Sequence, residues 1–215
     1  MNQLMEELKQ QKEGFLQKAP QEVIDKMNQA TAELLESGVA TGLKEGEKAP
    51  DFVLQDALGN DVQLYEELKK GPVVLTFYRG EWCPYCNLEL RAYQRVLDQI
   101  QEAGAQLIAI SPQTPDHSLS VQEKNELTYH VLSDPDKKVI KDYNLLFKMP
   151  DYLIELNKNL GLDLAKFNDK EDPWSLPVPA TLIINQDGTI RKVSANVDYT
   201  KRMDPQEVLD ILKEQ

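Results

Sequence analysis

Pro72-Val73-Val74-Leu75-Thr76-Phe77-Tyr78 is a nearly continuous apolar run, and it limits the fold more than any other stretch. Such a run does not alternate polar with apolar, so it suits a central strand covered on both faces. Two further runs read alike, Gln106–Ser111 and Ala180–Asn185. Helical periodicity lies between them. Leu88, Leu90, Tyr93, Val96, Leu97 and Ile100 predict a single helix over 84–103, closed by Gly104. Helices are also expected around 117–126, 136–143 and 204–214, with a short strand at Tyr129–Ser133. Ala49–Leu54 leads into a strand, Leu58–Asp61 turns it, and Val62 and Leu64 return. Gln186-Asp187-Gly188 turns the third run into Thr189–Val193. Strands alternating with helices predict an α/β fold with parallel pairing, and the last hairpin makes the sheet mixed. Residues 150–177 read as less regular.

The first 38 residues read as two helices. Leu4, Leu8 and Phe15, with Met5 and Leu16, give one stripe. Val23, Ile24, Met27, Ala30, Leu34 and Leu35 give another, with Pro20 opening it and Gly38 ending it. An N-terminal helical arm over 1–44 is therefore expected ahead of a domain over 45–215. It should pack on its own domain or on a second copy, so a homodimer is one expected arrangement. Its polar face is rich in Glu and Gln rather than Lys, which argues against a membrane-surface helix.

Lys and Arg number 24 against 36 Asp and Glu, a net charge of −12. So acidic a surface repels phosphate backbones and anionic lipid, and neither nucleic acid nor membrane is an expected partner. No apolar stretch is long enough to span a bilayer. Met1–Glu7 lacks the basic-then-apolar order of a signal peptide, so the expected compartment is the cytoplasm.

The two cysteines of the chain, Cys83 and Cys86, sit where the run 72–78 meets the following helix. Free N–H groups and the positive dipole end of a helix stabilise a thiolate there. Pro84 suits the first helical turn. Trp82 offers a flat apolar wall and Arg79 a positive charge. Zinc needs about four ligands. Only His117 and His130 remain, at a spacing unlike a zinc finger or ribbon, so no metal is expected. Two inert core cysteines would not need a Trp-Cys-Pro-Tyr-Cys string at such a junction. Reversible dithiol–disulfide chemistry remains. Tyr78, Tyr85 and Trp174 are expected to pack as ordinary aromatics near the site.

The string Val74-Leu75-Thr76-Phe77-Tyr78-Arg79-Gly80-Glu81-Trp82-Cys83-Pro84-Tyr85-Cys86-Asn87-Leu88-Glu89-Leu90 resembles the peroxiredoxins of the alkyl hydroperoxide reductase/thiol-specific antioxidant (AhpC/TSA) family, in their C-x-x-C branch. Ala49–Phe52, Leu132–Asp136 and Thr181–Gly188 extend the resemblance to about 45–213. It implies a thioredoxin fold with peroxiredoxin-type additions, a central mixed sheet flanked by helices. It also implies a thiol-dependent peroxidase acting on hydrogen peroxide or organic hydroperoxides. A thioredoxin-like protein would recycle it, with no metal or organic cofactor. A thiol-disulfide oxidoreductase acting on protein disulfides and a non-enzymatic redox sensor are the alternatives. In the peroxiredoxin pattern Cys86 takes the attacking position, Cys83 replaces a threonine, and Pro84 and Glu89 match neighbouring positions. In the thioredoxin pattern Cys83 attacks and Cys86 resolves. The family's arginine before the third strand is replaced by Val178-Pro179, which resembles the cis-proline of thioredoxins, and Arg79 would stand in for that arginine.

Overall fold

The computed structural model describes residues 3–214; Met1, Asn2 and Gln215, which the expected arm and domain include, lie outside the described residues. Two helices open the chain, α1 (Gln3–Lys18) and α2 (Gln21–Ser37). Gly38 ends α2 with φ +67, a left-handed conformation open to a residue without Cβ, and its N–H returns to the Leu35 carbonyl.

The domain follows as β1 (Val53–Asp56), β2 (Asp61–Gln63), α3 (Leu64–Leu68), β3 (Val73–Phe77), α4 (Pro84–Arg95), α5 (Leu97–Glu102), β4 (Gln106–Ser111), α6 (Pro115–Lys124), β5 (His130–Ser133), α7 (Lys138–Asp142), β6 (Leu146–Lys148), α8 (Asp151–Asn159), β7 (Ser175–Pro177), β8 (Ala180–Ile184), β9 (Ile190–Ala195) and α9 (Pro205–Lys213). The main sheet runs β2-β1-β5-β4-β3-β8-β9. Strands β3, β4 and β5 pair in parallel, while β8 pairs antiparallel with both β3 and β9. This is the mixed α/β sheet that the apolar runs predict. β6 and β7 form a separate pair, β6 just ahead of the stretch read as irregular and β7 at its end.

Every residue of β3 is buried, as its unbroken apolar run requires. Its pleat divides the core. Val74 points to the side of Leu90, Tyr93, Ile100 and Leu209, whereas Val73, Leu75 and Phe77 point to that of Ile108, Ile140 and Tyr143. The expected single helix over 84–103 breaks at Val96, which sits at φ −113, ψ 8 between α4 and α5. A β-branched residue is stiff in a helix interior, and the break re-aims Leu97 and Ile100 into the core.

The arm packs on its own domain. Leu4 and Leu8 of α1 are buried against α4, and Glu7 pairs with Arg95 at 3.0 Å. Leu4→Ala is expected to lower the unfolding free energy by about 2–3 kcal/mol, the lower range for a buried leucine, read from the urea midpoint. An unchanged midpoint would mean that α1 is not docked in solution.

Candidate active site

The loop after β3 and the first turn of α4 build the site. Cys83 is the N-cap of α4 in an extended conformation, Pro84 occupies the first helical position, and Cys86 follows two residues later. Both sulfurs are buried and unbonded, 2.8 Å apart. Gly80 lets the loop pass. A Cβ there would meet Gln113 Oε1 and Trp82 Nε1 at 2.5 Å, and its φ of +150 is unfavourable for other residues. Asn87 then ties the loop to the helix by donating to the carbonyls of Glu81 and Cys83, at 2.7 and 3.1 Å.

Two arginines serve the dithiol. The Arg79 guanidinium lies 4.8 Å from the Trp82 ring centroid and 4.5 Å from that of Tyr199. The second arginine, Arg202, comes from the loop between β9 and α9. Its Nη2 is 3.4 Å from Cys86 Sγ, and its Nε donates to Glu89 Oε2 at 2.6 Å. The Arg202–Glu89 pair is almost wholly buried.

Burial opposes a charged sulfur, but the hydrogen bond from the Cys86 S–H and then the charges of Arg79 and Arg202 pull the Cys83 thiol down to about 6. Cys86 moves the opposite way, well above the ordinary thiol range, through burial and then its proton shared with Cys83. Within the pair, Cys83 is thus the thiol favoured to lose its proton. Burial lifts the Glu89 carboxyl to about 7, against the pull of Arg202. Burial also works against the Arg202 charge, but Glu89 and the two sulfurs outweigh it and hold the guanidinium protonated.

The candidates named from sequence fall as follows. Cys83, Cys86, Pro84, Glu89, Arg79 and Trp82 gather at the strand-to-helix junction. Tyr85 packs edge-to-face on Tyr199 at 5.7 Å, and Tyr78 is fully buried in the core beside α4. Trp174 belongs to a small cluster with Met149, Leu164 and Leu176, against which Trp82 packs. His117 pairs with Glu81 at 3.0 Å and lies against Phe167, bracing the loop from outside. His130 faces Glu67 at 3.9 Å.

The expected cis bond before Pro179 is overturned, since no described peptide bond is cis. The Val178 N–H donates to the Leu145 carbonyl at 2.8 Å, and an extended trans link carries the chain from β7 straight into β8. Arg202, Asn87 and Tyr199 were not singled out from sequence. Arg202 lies in a polar segment 116 residues from Cys86, with no motif around it. The Cys86-to-Glu89 spacing, one helical turn, was the available hint that a buried carboxylate would need a cation.

No group of three or more His, Cys, Asp or Glu among the described residues is arranged to hold a metal ion. No helix among them is long and apolar enough to cross a membrane.

A paired thiol at a helix start beside a buried central strand, within this mixed sheet, defines a thioredoxin-fold protein of the peroxiredoxin type. The chain belongs to the AhpC/TSA family, whose pattern it matches over residues 46–193. A putative peroxiredoxin of Mycobacterium tuberculosis strain H37Rv is 34% identical over 100 residues, 46% of this chain and 63% of that protein. The chain thus spans less than two thirds of that relative's length. The thiol-disulfide oxidoreductase ResA of Halalkalibacterium halodurans is 27% identical over 173 residues, 79% of this chain and 78% of that protein. The crystal structure of the peroxidoxin BcpB from Mycobacterium tuberculosis superposes with a TM-score of 0.62 at 21% identity, covering 80% of this chain and 97% of that one, and so shares the fold.

Proposed function

We propose that the chain is a thiol-dependent peroxidase that reduces hydroperoxides through Cys83 and Cys86, with a thioredoxin-like protein as its reductant. The observation that carries this reading is the buried sulfur pair, 2.8 Å apart, facing Arg202 and lying beside Arg79. Cationic donors at such a place favour both the attacking thiolate and the oxygen that leaves with developing charge. Membership of the AhpC/TSA family supports it too. The N-terminal arm, 1–44, is proposed as an addition to the redox domain, 45–215, since the family match begins at residue 46. The cytoplasm is the proposed compartment.

The Cys83 thiolate attacks the terminal oxygen of the hydroperoxide. The O–O bond breaks, a sulfenic acid forms on Cys83, and the other oxygen leaves with a proton as water or alcohol. The Cys86 sulfur then displaces hydroxide from the sulfenic acid, giving the disulfide and water. The reductant returns both thiols by exchange. This assigns the attack to Cys83, whereas the family's motif alone would assign it to Cys86. The lowered Cys83 thiol supports this assignment, because the thiolate is the nucleophile.

The test is stopped-flow oxidation of the reduced protein by hydrogen peroxide. A rate far above that of a free thiol is expected; an ordinary thiol rate sinks the proposal. Its pH dependence follows from Cys83. Below about pH 6 the sulfur is protonated and the rate should fall about tenfold per unit, while above it the rate should level off. A half-maximum near the ordinary thiol value would place the charge elsewhere.

A second reading, exchange with protein disulfides, is favoured by Cys83 at the helix N-cap and by the likeness to ResA. Efficient reduction of insulin together with an ordinary peroxide rate would select it.

A further inference from the structure

A cavity of about 280 Å³ lies between the arm and the domain. One wall is α2, through Met27, Ala30 and Leu34, and Leu153 of α8 contributes to the other. Arg79 and Tyr199 also line it, the residues stacked beside the dithiol. Two of its lining residues besides Arg79 are charged, Glu33 and Lys148, and both are exposed at the rim.

Arg79 is itself unusual. Only 8% of it is exposed, it makes no ion pair among the described residues, and its Nε has no hydrogen-bond partner. A buried cation whose charge acts on the Cys83 sulfur but whose Nε meets no acceptor has unused donor capacity. An apolar cavity with one such donor near its reactive end matches a ligand with an oxygen head and an apolar tail.

We propose that this cavity holds the tail of an apolar hydroperoxide, an unbranched chain of medium length, with its oxygen pair at Arg79 and its carbons under α2. This rests on the peroxidase reading and narrows its substrate. The α2 wall lies outside the stretch that matches the family, so the selection is a property of the arm. In the step, the Cys83 thiolate takes the terminal oxygen, the O–O bond breaks, and the alkoxide formed beside Arg79 takes a proton from solvent and leaves as the alcohol. Hydrogen peroxide reacts at the same sulfur but gains nothing from the cavity.

Decanoate tests the cavity without chemistry, its carboxylate standing in for the oxygen pair. By calorimetry it should bind the reduced full chain, and butyrate should not. Ala30→Trp fills the cavity from α2 and should weaken decanoate about tenfold or more, the worth of roughly two buried methylenes. Leu153→Trp fills it from the other wall and should do the same. In stopped flow, both variants should slow decyl hydroperoxide about tenfold while hydrogen peroxide stays within about twofold, which also shows that they fold. Arg79→Met should bring decanoate down to the affinity of decanol. The proposal is overturned if decanoate does not bind, or binds both filled variants as well as the wild type. If neither peroxide oxidises the wild type, the peroxidase reading fails alone, and decanoate binding still decides the cavity.

Discussion

Cys83→Ser is expected to lower the rate of oxidation by hydroperoxide by roughly a thousandfold or more, the usual scale for removing a nucleophile. Cys86→Ser is expected to leave the first turnover standing. The Cys83 sulfur would still be oxidised, but its sulfenic acid would persist, trappable by dimedone, because the sulfur 2.8 Å away is gone. The serine hydroxyl can still donate to the Cys83 sulfur in place of the Cys86 S–H, so the first step should largely keep its pH dependence. The two variants thus differ in what accumulates as well as in rate. If Cys86→Ser is instead the variant that abolishes the first oxidation, the charge and the attack belong to Cys86.

The largest effect on stability is expected from the pair beneath the sulfurs. Arg202→Ala leaves the Glu89 carboxylate buried without its cation, and breaking such a pair costs about 3–5 kcal/mol. The sign of the pH dependence follows from burial. Glu89 already holds its proton more tightly in the fold than an ordinary carboxyl does, with a value near 7. Losing Arg202 raises it further. A group with a raised value in the fold loses stability as pH rises from the ordinary carboxyl value through the folded one. The deficit of Arg202→Ala should therefore be smaller near pH 5, where the neutral carboxyl needs no partner, than near pH 8, growing by about 1.4 kcal/mol per unit above about pH 7. Urea midpoints at the two values measure it. A double variant, Glu89→Leu with Arg202→Met, should recover most of the loss because no charge is left unpaired. Its peroxide reactivity should nonetheless stay low, since Cys86 loses its guanidinium contact. A deficit independent of pH would show that Arg202 acts through packing rather than through Glu89.

Much of the fold was legible from local pattern. β3, β4 and β8 were readable because a strand covered on both faces carries an unbroken apolar run, and that is a property of a few neighbouring residues. The arm's two helices and the left-handed stop at Gly38 were readable for the same reason. The break at Val96 was not. The apolar spacing runs smoothly through it, and the core's demand on Leu97 and Ile100 overrides that spacing. The pair β6–β7 escaped notice because its strands are three residues each and lie far apart in the chain.

The site divides in the same way. By itself the sequence determined that two cysteines stand at the start of a helix after a buried strand, flanked by Trp82 and Arg79. It determined also that Glu89 follows Cys86 by one turn. Spacing within one helix is local geometry, so sequence carries it. Tertiary structure alone decided that Arg202, from the far end of the chain, faces Cys86 and Glu89. It decided too that the Cys83 thiol is lowered while that of Cys86 is raised, and that α2 walls a cavity ending at Arg79. Charge and shelter are set by whatever the fold packs around a group, and residues distant along the chain leave no periodic trace of where they will meet.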